Sequence, residues 1–186
     1  MILRLVKHIF FFGLITILLL GNSSCRSGKE TAKSEHKSSS ENSPKNSKKI
    51  AQKYAPILLV EENDINNIPL YSFIDEWYGV PYKFGGKNKS GIDCSNFTST
   101  LYAEIYKKSV AGSSSGIFEQ CKIVSKNDLR EGDLVFFIIE GKKVSHIGVY
   151  LQNNKFVHAT TKKGVMIDDL DSPYYKKYFH KGGRLK

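Results

Sequence analysis

Between residues 134 and 167 the apolar residues come in four short runs, 134–139, 144–151, 156–160 and 165–167, rich in β-branched and aromatic side chains. Gly141, Asn153-Asn154 and residues 162–164 separate them. Runs of this length with Gly and Asn between them make strands joined by tight turns, not helices. The chain before them is patterned at the helical period. Leu70, Phe73, Ile74 and Trp77 fall on one helical face, Pro69 suits the first turn, and Gly79 and Pro81 end it. Residues 95–106 repeat the pattern with Phe97, Leu101, Tyr102 and Ile105. Ser113–Ser115 read as the cap of a third, short helix that holds Ile117 and Phe118. Helices first and an antiparallel meander afterwards define an α+β domain, with the N-terminal helices packed on an antiparallel β-sheet.

That domain is expected over 54–186, a usual size for one core. Residues 26–53 are mostly Ser, Lys, Glu and Asn, too polar to offset the entropy of ordering, and read as a disordered tether, with a short lead-in helix over 48–58. The tether carries eight Lys or Arg against three Glu, and two more cations lie in front of it. Of the formal charge of +10, only +3 therefore belongs to 54–186, so the basic balance is weak evidence for nucleic-acid binding and no nucleic-acid partner is expected.

The chain opens with Arg4 and Lys7, then twelve residues, 9–20, interrupted only by Gly13 and Thr16. A bilayer-spanning helix needs about 20 residues, so residues 1–24 read as a secretory signal, the alternative being an uncleaved anchor. Gly21-Asn22-Ser23-Ser24-Cys25 resembles a bacterial lipoprotein site, with Asn22 where a large aliphatic residue is usual. On that reading Cys25 carries lipid and becomes the mature N-terminus; ordinary cleavage, leaving a free thiol, is the other. The expected location is outside the cytoplasm, on a membrane-anchored lipoprotein in an outer membrane, facing the periplasm.

Two cysteines remain, Cys94 and Cys121, with no spacing that suggests a disulfide framework or a zinc site. Cys94, in Gly91-Ile92-Asp93-Cys94-Ser95, falls at a loop-to-helix junction. Free N–H groups and the helix dipole favour a thiolate there, with a pKa lowered from about 8.5 into roughly 3.5–7.5. The same N–H groups suit an oxyanion. His146 and His158 lie on runs that Asn153-Asn154 would fold into a hairpin. His146 shares a face with Gly148 and Tyr150, and neighbouring strands bring side chains within about 5 Å. Cys94, His146 and His158 then form nucleophile, base and orienting group. A lone cysteine or a core histidine would otherwise be packing, which is the reading for Cys121.

Five segments in order resemble the NlpC/p60 family of cysteine peptidases, which has a papain-like core: Pro81-Tyr82-Lys83-Phe84-Gly85-Gly86, Gly91-Ile92-Asp93-Cys94-Ser95-Asn96-Phe97, Arg130-Glu131-Gly132-Asp133-Leu134, His146-Ile147-Gly148-Val149-Tyr150 and Phe156-Val157-His158-Ala159. The resemblance implies a peptidoglycan hydrolase with Cys94, His146 and His158 catalytic. Tyr82 would line the site, and Asp93 and Ser95 would meet the free amino end of the substrate peptide. It implies a monomer that cuts cell-wall stem peptides, at the bond between γ-linked D-glutamate and a diamino acid. An amidase or transacylase with the same triad, or an inactive wall-binding lipoprotein, is the alternative. Asp93 could equally cap the following helix, and Tyr82 could be a core aromatic. Asn96 stands where the family usually has Gly, a side chain expected to narrow the groove. No cofactor or metal is called for, since the triad supplies both nucleophile and base.

Overall fold

A computed structural model of the chain describes residues 44–186; the signal, Cys25 and most of the expected tether lie outside them. The described residues form five α-helices: α1 (Pro44–Leu58), α2 (Ile68–Trp77), α3 (Cys94–Ile105), α4 (Ser114–Glu119) and α5 (Pro173–Tyr178). The strands are β1 (Lys87–Asn88), β2 (Gly91–Ile92), β3 (Cys121–Val124), β4 (Leu134–Phe137), β5 (His146–Tyr150), β6 (Lys155–Thr160), β7 (Gly164–Asp169) and β8 (Phe179–Leu185). The last six form one antiparallel sheet in the order β3-β8-β4-β5-β6-β7, and β1 pairs with β2 alone. No helix among the described residues is long and apolar enough to cross a membrane.

The sheet is buried on both faces. On one, Leu134, Phe136, Ile147, Val149, Val157, Ala159 and Val165 pack under α2 and α3, which contribute Leu70, Phe73, Ile74, Trp77, Phe97 and Leu101. On the other, Val135, Phe137, Tyr150 and Phe156 pack with Leu170 and with Tyr175 and Tyr178 of α5. Two covered faces explain why β4 reads as an unbroken apolar run instead of alternating. The β5–β6 hairpin turns on Asn153 and Asn154, with φ of 48° and 61°, the left-handed pair that a two-residue turn of matching twist requires. Lys155 N–H donates to the Gln152 carbonyl at 2.8 Å and closes it.

The last ten residues of the expected tether, 44–53, are helical. α1 begins at Pro44 and buries Ile50, Ala51, Tyr54, Ala55 and Leu58 along one face. Ile50 and Ala51 belong to the stretch that looked unburiable, but one turn later Tyr54 and Ala55 continue their stripe. Tyr54 packs on Tyr71 with ring centroids 5.3 Å apart. Its hydroxyl donates to Asp75 at 3.2 Å, and Lys53 pairs with the same carboxylate. Tyr54 is fully buried, so Tyr54→Ala is expected to lower the unfolding free energy by about 3 kcal/mol in urea denaturation. A change within error would put α1 outside the cooperative unit.

Candidate active site

Cys94 is the first residue of α3, and Asp93 is its cap. The Asp93 carboxylate is 7% exposed and takes four hydrogen bonds: from Gly85 N–H at 2.9 Å, Ser95 Oγ at 2.9 Å, Asn96 N–H at 2.7 Å and Asn96 Nδ2 at 2.9 Å. The Asp93 carboxylate ties the Gly85 loop to the start of α3, the capping role left open for it. One expectation changes here: the Asn96 side chain does not narrow the groove, because its amide turns back onto Asp93.

The thiol of Cys94 is buried and lies 3.5 Å from Ser114 Oγ, at the start of α4. Backbone N–H groups of Ile147 and Ser95 also point at the sulfur. Burial nonetheless pushes the thiol above its ordinary pKa. Ser114 and the two N–H groups pull it down, and the Asp93 carboxylate adds to the rise. The lowered pKa expected of a helix start is therefore not found: burial outweighs the helix end.

The Ile147 contact brings β5 against the sulfur, and His146, the residue before it, forms the cavity wall with Cys94 and half-buried Tyr82. Tyr82 reaches this position by an isolated parallel bridge to Ile92, two residues before the thiol. Burial, with help from Cys94, Asp93 and Glu140, raises the Tyr82 pKa, so its hydroxyl keeps its proton. His146 Nε2 lies 2.6 Å from His158 Nδ1, and the rings meet edge to face at 4.9 Å. His158 is fully buried, and its Nε2 lies 2.9 Å from Asp168 Oδ2 on β7. Tyr175 of α5 stands behind both, 3.4 Å from His158 Nε2 and hydrogen-bonded to Asp168. The backbone leaves room for this pair at Gly148, which the β5–β6 register sets opposite His158. A Cβ there would lie 2.6 Å from the Phe156 ring and 2.9 Å from the Val157 carbonyl.

One carboxylate fixes the protons of both rings. Ionised Asp168 only accepts, so His158 carries its proton on Nε2 and offers the Nδ1 lone pair. His146 then donates from Nε2, and its basic nitrogen is Nδ1, the one left for the thiol. Burial first, and the neighbouring His158 second, lower the His146 pKa to about 3, so this nitrogen is unprotonated at neutral pH. For His158, burial pulls the pKa down against the smaller upward pull of Asp168. Such a site sets a neutral thiol and a neutral, oriented imidazole on one cleft, where the thiol proton can pass to the ring as sulfur attacks.

A model of the NlpC/P60 family matches residues 79–184, more than half of the chain. The chain belongs to that family. The murein DD-endopeptidase MepS/murein LD-carboxypeptidase of Escherichia coli (strain K12) is 36% identical over 163 residues, covering 88% of this chain and 85% of that one. The peptidoglycan DL-endopeptidase CwlO of Bacillus licheniformis is 33% identical over 107 residues, 54% of this chain and 24% of that one. The crystal structure of an NlpC/P60 family protein from Bacillus cereus superposes with a TM-score of 0.58 at 27% identity, over 62% of this chain and 39% of that one.

Within this NlpC/P60 domain the sequence reading missed Ser114 and Asp168. Ser114 carried no signal beyond its place in a serine run. Asp168 has one in retrospect: the β6–β7 register pairs His158 with Met166 and Phe156 with Asp168, so the acid lies diagonally across from His158 on the same face. Cys121, on β3, is buried with its Sγ donating to the Ile117 carbonyl at 3.3 Å, as packing requires. Among the described residues no group of His, Cys, Asp or Glu is arranged to hold a metal ion.

Proposed function

We propose that the protein is a cysteine peptidase that hydrolyses the stem peptides of peptidoglycan, with Cys94 as nucleophile, His146 as base and His158 as its orienting group, steadied by Asp168. The observation that carries this reading is the unbroken line from Asp168 through His158 to His146, ending at the cleft that Cys94 lines. A domain that only bound the wall would have no need of it. Cys94 Sγ attacks the amide carbon while its proton passes to His146 Nδ1. The tetrahedral oxyanion meets N–H groups at the α3 start. The C–N bond breaks as His146 protonates the amine. Water, deprotonated by His146, then releases the acyl group and restores the thiol.

Two bonds suit such a site. The bond between γ-linked D-glutamate and a diamino acid follows from the family resemblance, and CwlO is named a DL-endopeptidase. The cross-link between stems is favoured by the match over most of the MepS length, a protein named a DD-endopeptidase. Incubating the mature chain with purified muropeptides and weighing the products tests the function and chooses between the bonds: loss of cross-linked dimers marks the second, shortened stems the first. Muropeptides left intact would count against hydrolysis.

The reading extends to location. A lipid on Cys25 would hold the domain to the outer membrane, facing the periplasm. Cys25→Ser is expected to move the protein from the membrane to the soluble fraction; retention in the membrane would favour an uncleaved anchor.

A further inference from the structure

The cleft beside Cys94 is lined by charged groups that the chemistry above does not use. Its cavity, about 570 Å³, is bounded by Glu140 from the β4–β5 connection and by Lys162 and Lys163 from the β6–β7 turn. Asp168 also lines it but is held by His158. All three of the others are exposed, and among the described residues no hydrogen bond or ion pair engages either ammonium or the Glu140 carboxylate. Lys142 and Lys143, beside Glu140 in sequence, do not line the cleft.

The topology fixes where these charges stand. β4, β5, β6 and β7 are consecutive antiparallel neighbours, so the β4–β5 connection and the β6–β7 turn emerge at the same end of the sheet. That end holds His146, the first residue of β5. Two strand spacings, about 10 Å, separate the two connections, with the histidines between them.

The lysine turn is pinned. Val165 N–H donates to the Val80 carbonyl at 2.9 Å, and Gly79 N–H to the Val165 carbonyl at 2.8 Å. Gly164 lies so close to Val80 that a Cβ would stand 2.1 Å from its carbonyl oxygen. Lys163 N–H donates to Thr160 Oγ1 at 3.0 Å. On the other side, Ser145 Oγ accepts from Ile139 N–H at 3.0 Å and Glu140 N–H at 3.1 Å. Both charged rims thus have braced backbones, which lowers the ordering cost of a ligand.

We propose that the cleft selects a zwitterionic peptide: Lys162 and Lys163 receive a free carboxylate on one side of the scissile bond, and Glu140 receives a free ammonium about 10 Å away on the other. This deepens the hydrolase reading and rests on it. It names the substrate class as stems whose carboxyl and amino groups near the cut are unmodified. It also assigns ammonium recognition to Glu140, on the cleft wall.

The test uses a purified cross-linked muropeptide dimer in three forms: untreated, carboxyl-amidated and amine-acetylated. For the wild-type protein each block is expected to raise KM about fivefold, with kcat changed less than twofold and the discrimination lost in high salt. A Lys162→Ala/Lys163→Ala protein is expected to show the raised KM on the untreated dimer and no further rise on the amidated one. Glu140→Gln should do the same for acetylation. Equal KM values for all three forms with wild type, or variants weakened equally on every form, would overturn the proposal. Calorimetric binding of the three forms to Cys94→Ala separates this from the reading beneath it. Tighter binding of the untreated form, with no cleavage by wild type, keeps the charge subsites and removes the hydrolase. Binding that ignores the blocks removes the subsites alone.

Discussion

Cys94→Ala is expected to lower kcat on muropeptides by at least about a thousandfold while leaving the thermal midpoint nearly unchanged. The sulfur is the one thiol among the residues that line the cleft with His146. Its loss removes the covalent route as a whole. The fold has little at stake, since the thiol's one side-chain hydrogen-bond partner is Ser114 Oγ, at 3.5 Å, and alanine fills most of the same space. Cys121→Ala is the control. It removes a buried sulfur that plays no part in the chemistry, so activity should persist at a stability cost of about 1 kcal/mol. A Cys94→Ala protein that still cleaves at the wild-type rate would remove the assignment.

The second large effect concerns the bases and their pH dependence. His146→Gln is expected to cost about a thousandfold in kcat, because no other imidazole lines the cleft to take the thiol proton. His158→Gln should cost about tenfold, since an amide can still accept from His146 Nε2, and Asp168→Asn about the same. The reverse ranking of the histidines would mean their roles are exchanged. The pH profile adds a readout that packing alone would not move. An unperturbed imidazole titrates near pH 6.5, whereas burial takes His146 to about 3. Its protonation, which blocks the base, therefore occurs only in strong acid. The acid limb of kcat/KM is expected well below pH 6.5. On the alkaline side the raised thiol predicts that alkylation of resting Cys94 keeps accelerating above pH 9. Rapid alkylation at pH 6 would show a preformed thiolate and contradict the burial argument.

The α+β class, the helices carrying Leu70 and Phe97, and the histidine hairpin could be read from spacing, because each depends on a local period or a local turn. Asn153-Asn154 sets the hairpin without help from distant residues, and the His146–His158 approach follows from it. The rest depends on register and burial, which a local reading cannot supply. Asp168, Asp169 and Asp171 are equivalent in the sequence until pairing of β6 with β7 selects Asp168. β8 was missed because Gly182 and Gly183 interrupt any alternation, although the close approach of β3 and β4 to them demands those glycines. α5, with two lysines and no caps from side chains, gives no helical signal, yet it closes the second face. The thiol pKa went the other way from the helix-end argument because burial is a property of the assembled core.

The turn that joins the histidine strands has a partner far away in sequence. Asn153 Nδ2 donates to the carbonyls of Leu58 at 3.1 Å and Leu59 at 3.3 Å, at the end of α1. These carbonyls are unpaired at a helix end and take the amide in place of solvent. The hairpin is thereby moored at its tip by a segment that precedes residue 79, where the family match begins. A truncation cut at that boundary would keep every reacting atom and still release the lever on which two of them are mounted. Evolution of the N-terminal extension and tuning of the reaction are on this account one problem: a substitution around residue 58 is a substitution in the handle of the base.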